Sequence, residues 1–258
     1  MLFPVLSIAL FGVPNGSMAQ QVDSLKAQHF LALQMGINQV KDENLHPKVS
    51  SGIGMQVSYG FEKQKRNLQQ FEFVLGYSRL KTGLEELSKT VNVRIKADYS
   101  LNFGLIEHET YSLLLGPEMV LDYNVSYFPN WDDSHLYWAD YLSIGVNTIL
   151  PVKLRKEKEW ITYLSFPLFS VFSRPEQYKL YKIDKTDVGG IISNLNSHIT
   201  AAHLTNVFHV RLKTEYRFPA FAHGREAFYY AFEWVRVRDD DGLPFQKIIH
   251  QVGIKFFL

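Results

Sequence analysis

Two nine-residue stretches, Ile53–Phe61 (IGMQVSYGF) and Val91–Tyr99 (VNVRIKADY), constrain this chain more than any other feature. In the first, Ile53, Met55, Val57, Tyr59 and Phe61 alternate with Gly54, Gln56, Ser58 and Gly60. In the second, Val91, Val93, Ile95, Ala97 and Tyr99 alternate with Asn92, Arg94, Lys96 and Asp98. Successive side chains of a strand point to opposite faces, so each segment has one apolar and one polar face. A soluble sheet has the same local pattern, with its apolar face on a protein core. Recurrence of the pattern and its surroundings decide between core and lipid.

The pattern recurs along the whole chain. Leu31, Leu33, Met35 and Ile37 share one face early on. Phe71, Phe73, Leu75 and Tyr77 oppose Glu72 and Ser78, and Leu113, Leu115, Met119, Leu121 and Tyr123 oppose Glu118, Asp122 and Asn124. Phe208, Val210, Leu212 and Tyr216 oppose His209, Arg211, Lys213 and Glu215. Phe228, Tyr230, Phe232 and Trp234 oppose Glu233, and Val252, Ile254, Phe256 and Leu258 oppose Gln251, Gly253 and Lys255. With segments near Trp138–Leu150 and Trp160–Phe172, the count is about ten strands. A hairpin formed by Tyr178–Asp184 and Val188–Leu195 would raise it to about twelve. Pro117 and Pro167 fall inside strands and predict bulges. Compact connections alternate with longer ones: Lys41–Ser50, Lys81–Thr90, Ser126–Tyr137, Ser173–Thr200 and Arg236–Lys247 are the long set.

Residues Leu2–Val13 are a short apolar run, followed by Pro14, Gly16 and then Ser17-Met18-Ala19. The run is too short to span a bilayer as a helix, and the small residues suit cleavage after Ala19. Residues 1–19 are therefore expected to be a signal peptide and 20–258 the exported barrel; a buried N-terminal strand or helix is the competing reading. The chain has no Cys, which excludes disulfides, thiolate metal sites and cysteine nucleophiles. A formal charge of +1 gives no electrostatic case for nucleic acid.

Tyr77, Tyr99, Tyr123, Trp138, Trp160, Phe218 and Trp234 lie near strand ends, where a membrane barrel carries its interfacial girdles. The last segment, Val252-Gly253-Ile254-Lys255-Phe256-Phe257-Leu258, resembles the C-terminal strand of bacterial outer-membrane β-barrel proteins, with Leu258 in place of the usual final Phe. The resemblance implies an all-β, antiparallel up-and-down transmembrane barrel in the outer membrane of a Gram-negative cell. Its partners would be outer-membrane lipid and other outer-membrane or periplasmic proteins, and no nucleic acid. A soluble secreted sandwich or lipocalin-like barrel is the alternative fold.

If about ten strands close, side chains nearly fill the interior. Glu72, Arg94, Lys96 and Asp98 are expected to form one ladder of cross-strand ion pairs across the lumen wall, and Arg211, Lys213, Glu215 and Glu233 another. The leading functional reading is a non-enzymatic scaffold or accessory subunit of a secretion, assembly or uptake complex. Tyr127, Phe128, Trp131 and Phe245, in the long connections, are its candidate partner-binding residues. A narrow substrate-specific channel is one alternative. Another is a rim hydrolase using Asp132, Asp133 and His135, since the strand count resembles omptin-type proteases. No cofactor or metal site is expected: His203 and His209 share a strand face but lie about 20 Å apart.

Overall fold

A computed structural model describes residues 27–43, 46–83, 90–129, 136–155, 157–174, 199–203, 206–219, 225–238 and 243–258. The expected signal peptide, the expected hairpin segments at 178–184 and 188–195, and residues 131–135 lie outside this set. The described residues form β1 (Gln28–Asp42), β2 (His46–Gln64), β3 (Leu68–Lys81), β4 (Thr90–Glu107), β5 (Ser112–Tyr127), β6 (Leu136–Trp138) and β7 (Asp140–Lys153). There follow β8 (Glu159–Ser173), β9 (Ile199–His203), β10 (Val207–Pro219), β11 (Arg225–Val237) and β12 (Phe245–Phe257).

All pairing is antiparallel between chain neighbours, and the sheet closes where β12 pairs with β1. Both β6 and β7 pair with β5, and both β9 and β10 pair with β8, so each couple is one interrupted stave. The closed barrel therefore has ten staves. The direct β8–β10 pairing excludes the twelve-stave alternative, because nothing is inserted into the circle between them.

The alternation in sequence becomes the inside and outside of this cylinder. Ile53 and Met55 are 66% and 67% exposed, whereas Gln56 between Met55 and Val57 is 5% exposed. The same inversion of a soluble protein's pattern runs around the circle: Leu33, Leu75, Ile95, Met119, Ile144, Phe228 and Val252 face outward. Apart from the short β6 and β9, the strands run 13 to 19 residues, beyond the roughly 9–11 needed to cross a bilayer. An unbroken apolar outer belt of this extent is stable in hydrocarbon and not in water.

One rim carries both described chain ends, tied by the Leu258 N–H donating to the His29 carbonyl at 2.8 Å. We call it the terminal rim and its opposite the distal rim. Outward aromatics crowd the terminal rim. Trp160, Tyr216, Phe218 and Phe228 form a chain of ring contacts at 6.2, 5.9 and 5.3 Å, and Phe61 stacks on Phe71. Trp138 departs from expectation. It is buried, and its indole N–H donates to Ser173 Oγ at 3.2 Å, because β6 folds in at the distal rim instead of facing lipid.

The prolines differ from each other. Pro167 sits at a register shift between β7 and β8, the bulge its missing donor predicts. Pro117 causes none: β5 keeps one register with β4 on both sides of it, and the shift there comes later, between Gly104 and Ile106. The expected long connection at Lys41–Ser50 is also absent, since β1 and β2 stay paired out to Asp42 and His46.

Candidate functional site: the lumen

The inward residues of ten strands meet on the barrel axis, and most are charged. In the distal half, Arg94 of β4 reaches Asp122 on β5, with Nε 2.9 Å from Oδ1, and crosses the lumen to Glu233 of β11. Its Nη2 lies 2.8 and 2.7 Å from the two Glu233 oxygens. The Tyr141 hydroxyl is 2.7 Å from Asp122 Oδ2 and 2.8 Å from Glu233 Oε1. Lys247 donates to Asn124 Oδ1 at 2.9 Å and lies 3.4 Å from Asp122. His209 packs edge-on against Tyr141, with Nε2 3.5 Å from Glu233.

In the terminal half the centre is a pair of carboxylates. Arg217 bridges Glu62 and Glu215 at 2.8 Å each, and Lys255 approaches the same two at 3.1 and 2.7 Å. Tyr163 accepts from Arg217 at 2.7 Å and donates to Glu215 at 3.2 Å. The Lys255 ammonium also lies 4.1 Å from the Phe30 ring centroid, a cation–π contact in a water-poor site. Between the halves, Asp98 pairs with Lys96 at 2.6 Å and with Arg211 at 2.9 Å, and Arg211 also pairs with Glu118. Lys213 reaches Glu72 at 3.4 Å and Glu215 at 3.0 Å.

The two ladders anticipated from sequence are thus brought together in one lattice, with different pairs. Glu72 and Asp98 face each other in the β3–β4 register, two carboxylates with no attraction between them. Arg211 and Glu233 are likewise register partners, yet each pairs elsewhere. Some attractions stay on the wall, as in Lys96–Asp98 and Arg94–Asp122, and others cross the lumen, as in Arg94–Glu233 and Arg211–Asp98. Glu62, Glu118, Asp122, Arg217, Lys247 and Lys255 complete the lattice and were not singled out as site residues. For Glu118, Asp122 and Lys255 the signal was available on the polar face of an alternating strand, whereas Lys247 fell in the expected connection Arg236–Lys247 and lies instead on β12.

Seven cations (Arg94, Lys96, Arg211, Lys213, Arg217, Lys247, Lys255) meet seven carboxylates (Glu62, Glu72, Asp98, Glu118, Asp122, Glu215, Glu233). The formal charges of these fourteen side chains cancel, and the long side chains occupy the space an ion would cross. Apolar clusters narrow the lumen toward both ends. Phe172, Val207, Val237 and Phe245 pack at the distal rim, and Phe30, Ala227 and Phe257 at the terminal rim. The distal closure is tied further by Tyr137 donating to Asp42, which also holds Arg174 at 3.3 Å. A cavity of about 140 Å3 remains in the middle.

Two candidate partner residues are corrected by this closure. Phe128 and Phe245 are buried, not presented to a partner; Phe245 stands on the inward face of β12 and packs on Phe172. Tyr127 is exposed on the outer face; Trp131, Asp132, Asp133 and His135 lie outside the described residues. Among the described residues, no group of three or more His, Asp or Glu is placed to hold a metal ion.

No protein-family model and no curated protein matches this sequence. Solved structures do resemble it. The outer membrane protease OmpT from Escherichia coli aligns over 94% of this chain and 99% of its own, at 8% identity and a TM-score of 0.52. Neisserial surface protein A aligns over 88% and 96% at 8% identity with a TM-score of 0.34. The translocator domain of autotransporter NalP from Neisseria meningitidis aligns over 91% and 90% at 8% identity with a TM-score of 0.40. At such identity the likeness to OmpT speaks for the fold alone. The chain has the closed, antiparallel, ten-stave β-barrel fold of bacterial outer-membrane proteins.

Proposed function

We propose that this protein is an outer-membrane barrel whose spanning part is a closed anchor. It acts as a non-enzymatic scaffold or accessory subunit of a secretion, assembly or uptake complex. The carrying observation is the lumen: ion pairs such as Arg94–Glu233 and Arg211–Asp98 join opposite walls, and apolar clusters narrow it toward both ends. An interior of this kind serves rigidity better than transport, and leaves the rims as working surfaces. Residues 1–19 act as the export signal, the terminal rim faces the periplasm, and the longer connections at the distal rim face outward.

Planar-bilayer recording on the purified, refolded barrel tests the reading. Silence at moderate voltage is the expected result, and a steady open-channel conductance overturns it. N-terminal sequencing of the membrane-extracted protein should begin at Gln20; a start at Met1 removes the export signal. The rim-hydrolase alternative would show as peptide cleavage that disappears on replacing Asp132, Asp133 and His135 by Ala.

A further inference from the structure

The lattice leaves one polar surface unspent. Gln34, Gln56 and Gln251 come from three adjacent strands, β1, β2 and β12, and line the central cavity. They are 8%, 5% and 7% exposed, and their side chains make no hydrogen bond with any described residue. Tyr229, 4% exposed, lines the same cavity with a hydroxyl that has no hydrogen-bond partner. Gly253 opposes Gln34 and leaves room for that ring: a Cβ there would come within 2.6 Å of Tyr229 Cζ. Buried amides and phenols are ordinarily satisfied. Of the four, the Tyr229 hydroxyl is the orphan among the described residues, and the three carboxamides open onto the same cavity beside it, a polar lining for a guest.

We infer that this cavity binds a small, neutral, polyhydroxylated solute of about glycerol size. The neighbouring charges are already spent on one another, Glu72 on Lys213 and Asp98 on Lys96 and Arg211, so an ionic guest would unbalance them. An apolar guest would leave the carboxamides unsatisfied. Each carboxamide offers a donor and an acceptor, and a polyol hydroxyl offers both in return. The volume of about 140 Å3 is close to that of an engineered cavity that holds benzene, a molecule of six heavy atoms, as glycerol is. The site is independent of whether the lumen conducts, because binding requires entry from only one side.

Saturation-transfer NMR on the full-length barrel in detergent, with glycerol, erythritol and the anion glycerate as probes, tests this. Transfer to glycerol and erythritol but not to glycerate is expected, falling at least fivefold in Gln56→Leu and in Tyr229→Phe. Retained heat-modifiable gel migration shows that these variants are folded; if Gln56→Leu fails to fold, Tyr229→Phe alone decides. Equal transfer in the folded variants and the parent protein overturns the site. Absence of transfer from either polyol, leaving water as the only occupant, overturns it too.

Discussion

The two halves of the lumen are closed by the same chemistry with different redundancy. In the distal half a single guanidinium, that of Arg94, joins Asp122 and Glu233 from opposite walls, with Lys247 reaching only Asp122 at 3.4 Å. In the terminal half Glu62 and Glu215 are both held by Arg217 and by Lys255, and Glu215 a third time by Lys213. Attraction between buried charges barely exceeds the cost of desolvating them, so what matters is what remains when one is removed. The distal half then keeps two buried carboxylates with little to neutralise them. The terminal half keeps its lysine. The first is a keystone and the second a lattice.

That difference orders the expected effects. Arg94→Ala should be the most damaging, costing about 3–5 kcal/mol because it strands buried Asp122 and Glu233. Urea unfolding in phospholipid vesicles reads this directly, and the variant should also conduct intermittently in planar bilayers. A cost near zero would mean that water already screens the distal half. Met55→Arg, on the lipid face of β2, supplies an outside reference at about 2–4 kcal/mol. Should it prove harmless, Met55 would not lie within hydrocarbon.

Arg217→Ala should cost less, about 1.5–3 kcal/mol, the scale of its charged hydrogen bonds, since Lys255 still holds both carboxylates. Equality with Arg94→Ala would break the contrast between the halves. Combining Arg217→Ala with Lys255→Met should then exceed the sum of the single costs, as expected for groups that share partners. The smallest effect belongs to Tyr163→Phe, which removes one hydroxyl shared by Arg217 and Glu215, at about 0.5–1.5 kcal/mol. A larger loss would show that the phenol, not the lysine, holds the terminal half together.

Much of this was legible in the chain because strand alternation is local. Ile53, Met55 and Val57 declare one face and Gln56 and Ser58 the other without any distant partner, and closure only decides which face meets lipid. The aromatic strand ends at Trp160 and Phe218 were legible for the same reason. Phe245 was misplaced because β12 begins earlier than expected and carries it on the inward face with Lys247 and Ile249, whereas Trp138 and Phe128 lie where strands end. There, alternation no longer sets direction, and an aromatic is equally suited to an interface or to a cap.

By itself, then, the sequence determined the strands, their two faces and the set of charges that would share an interior. Only the tertiary structure decided which charge meets which. Arg211 and Asp98 are 113 residues apart, and Lys255 and Glu62 are 193 apart. Their meeting depends on how many strands complete the circle and how far each is staggered. Those are properties of the closed sheet, and no period within a single strand encodes them.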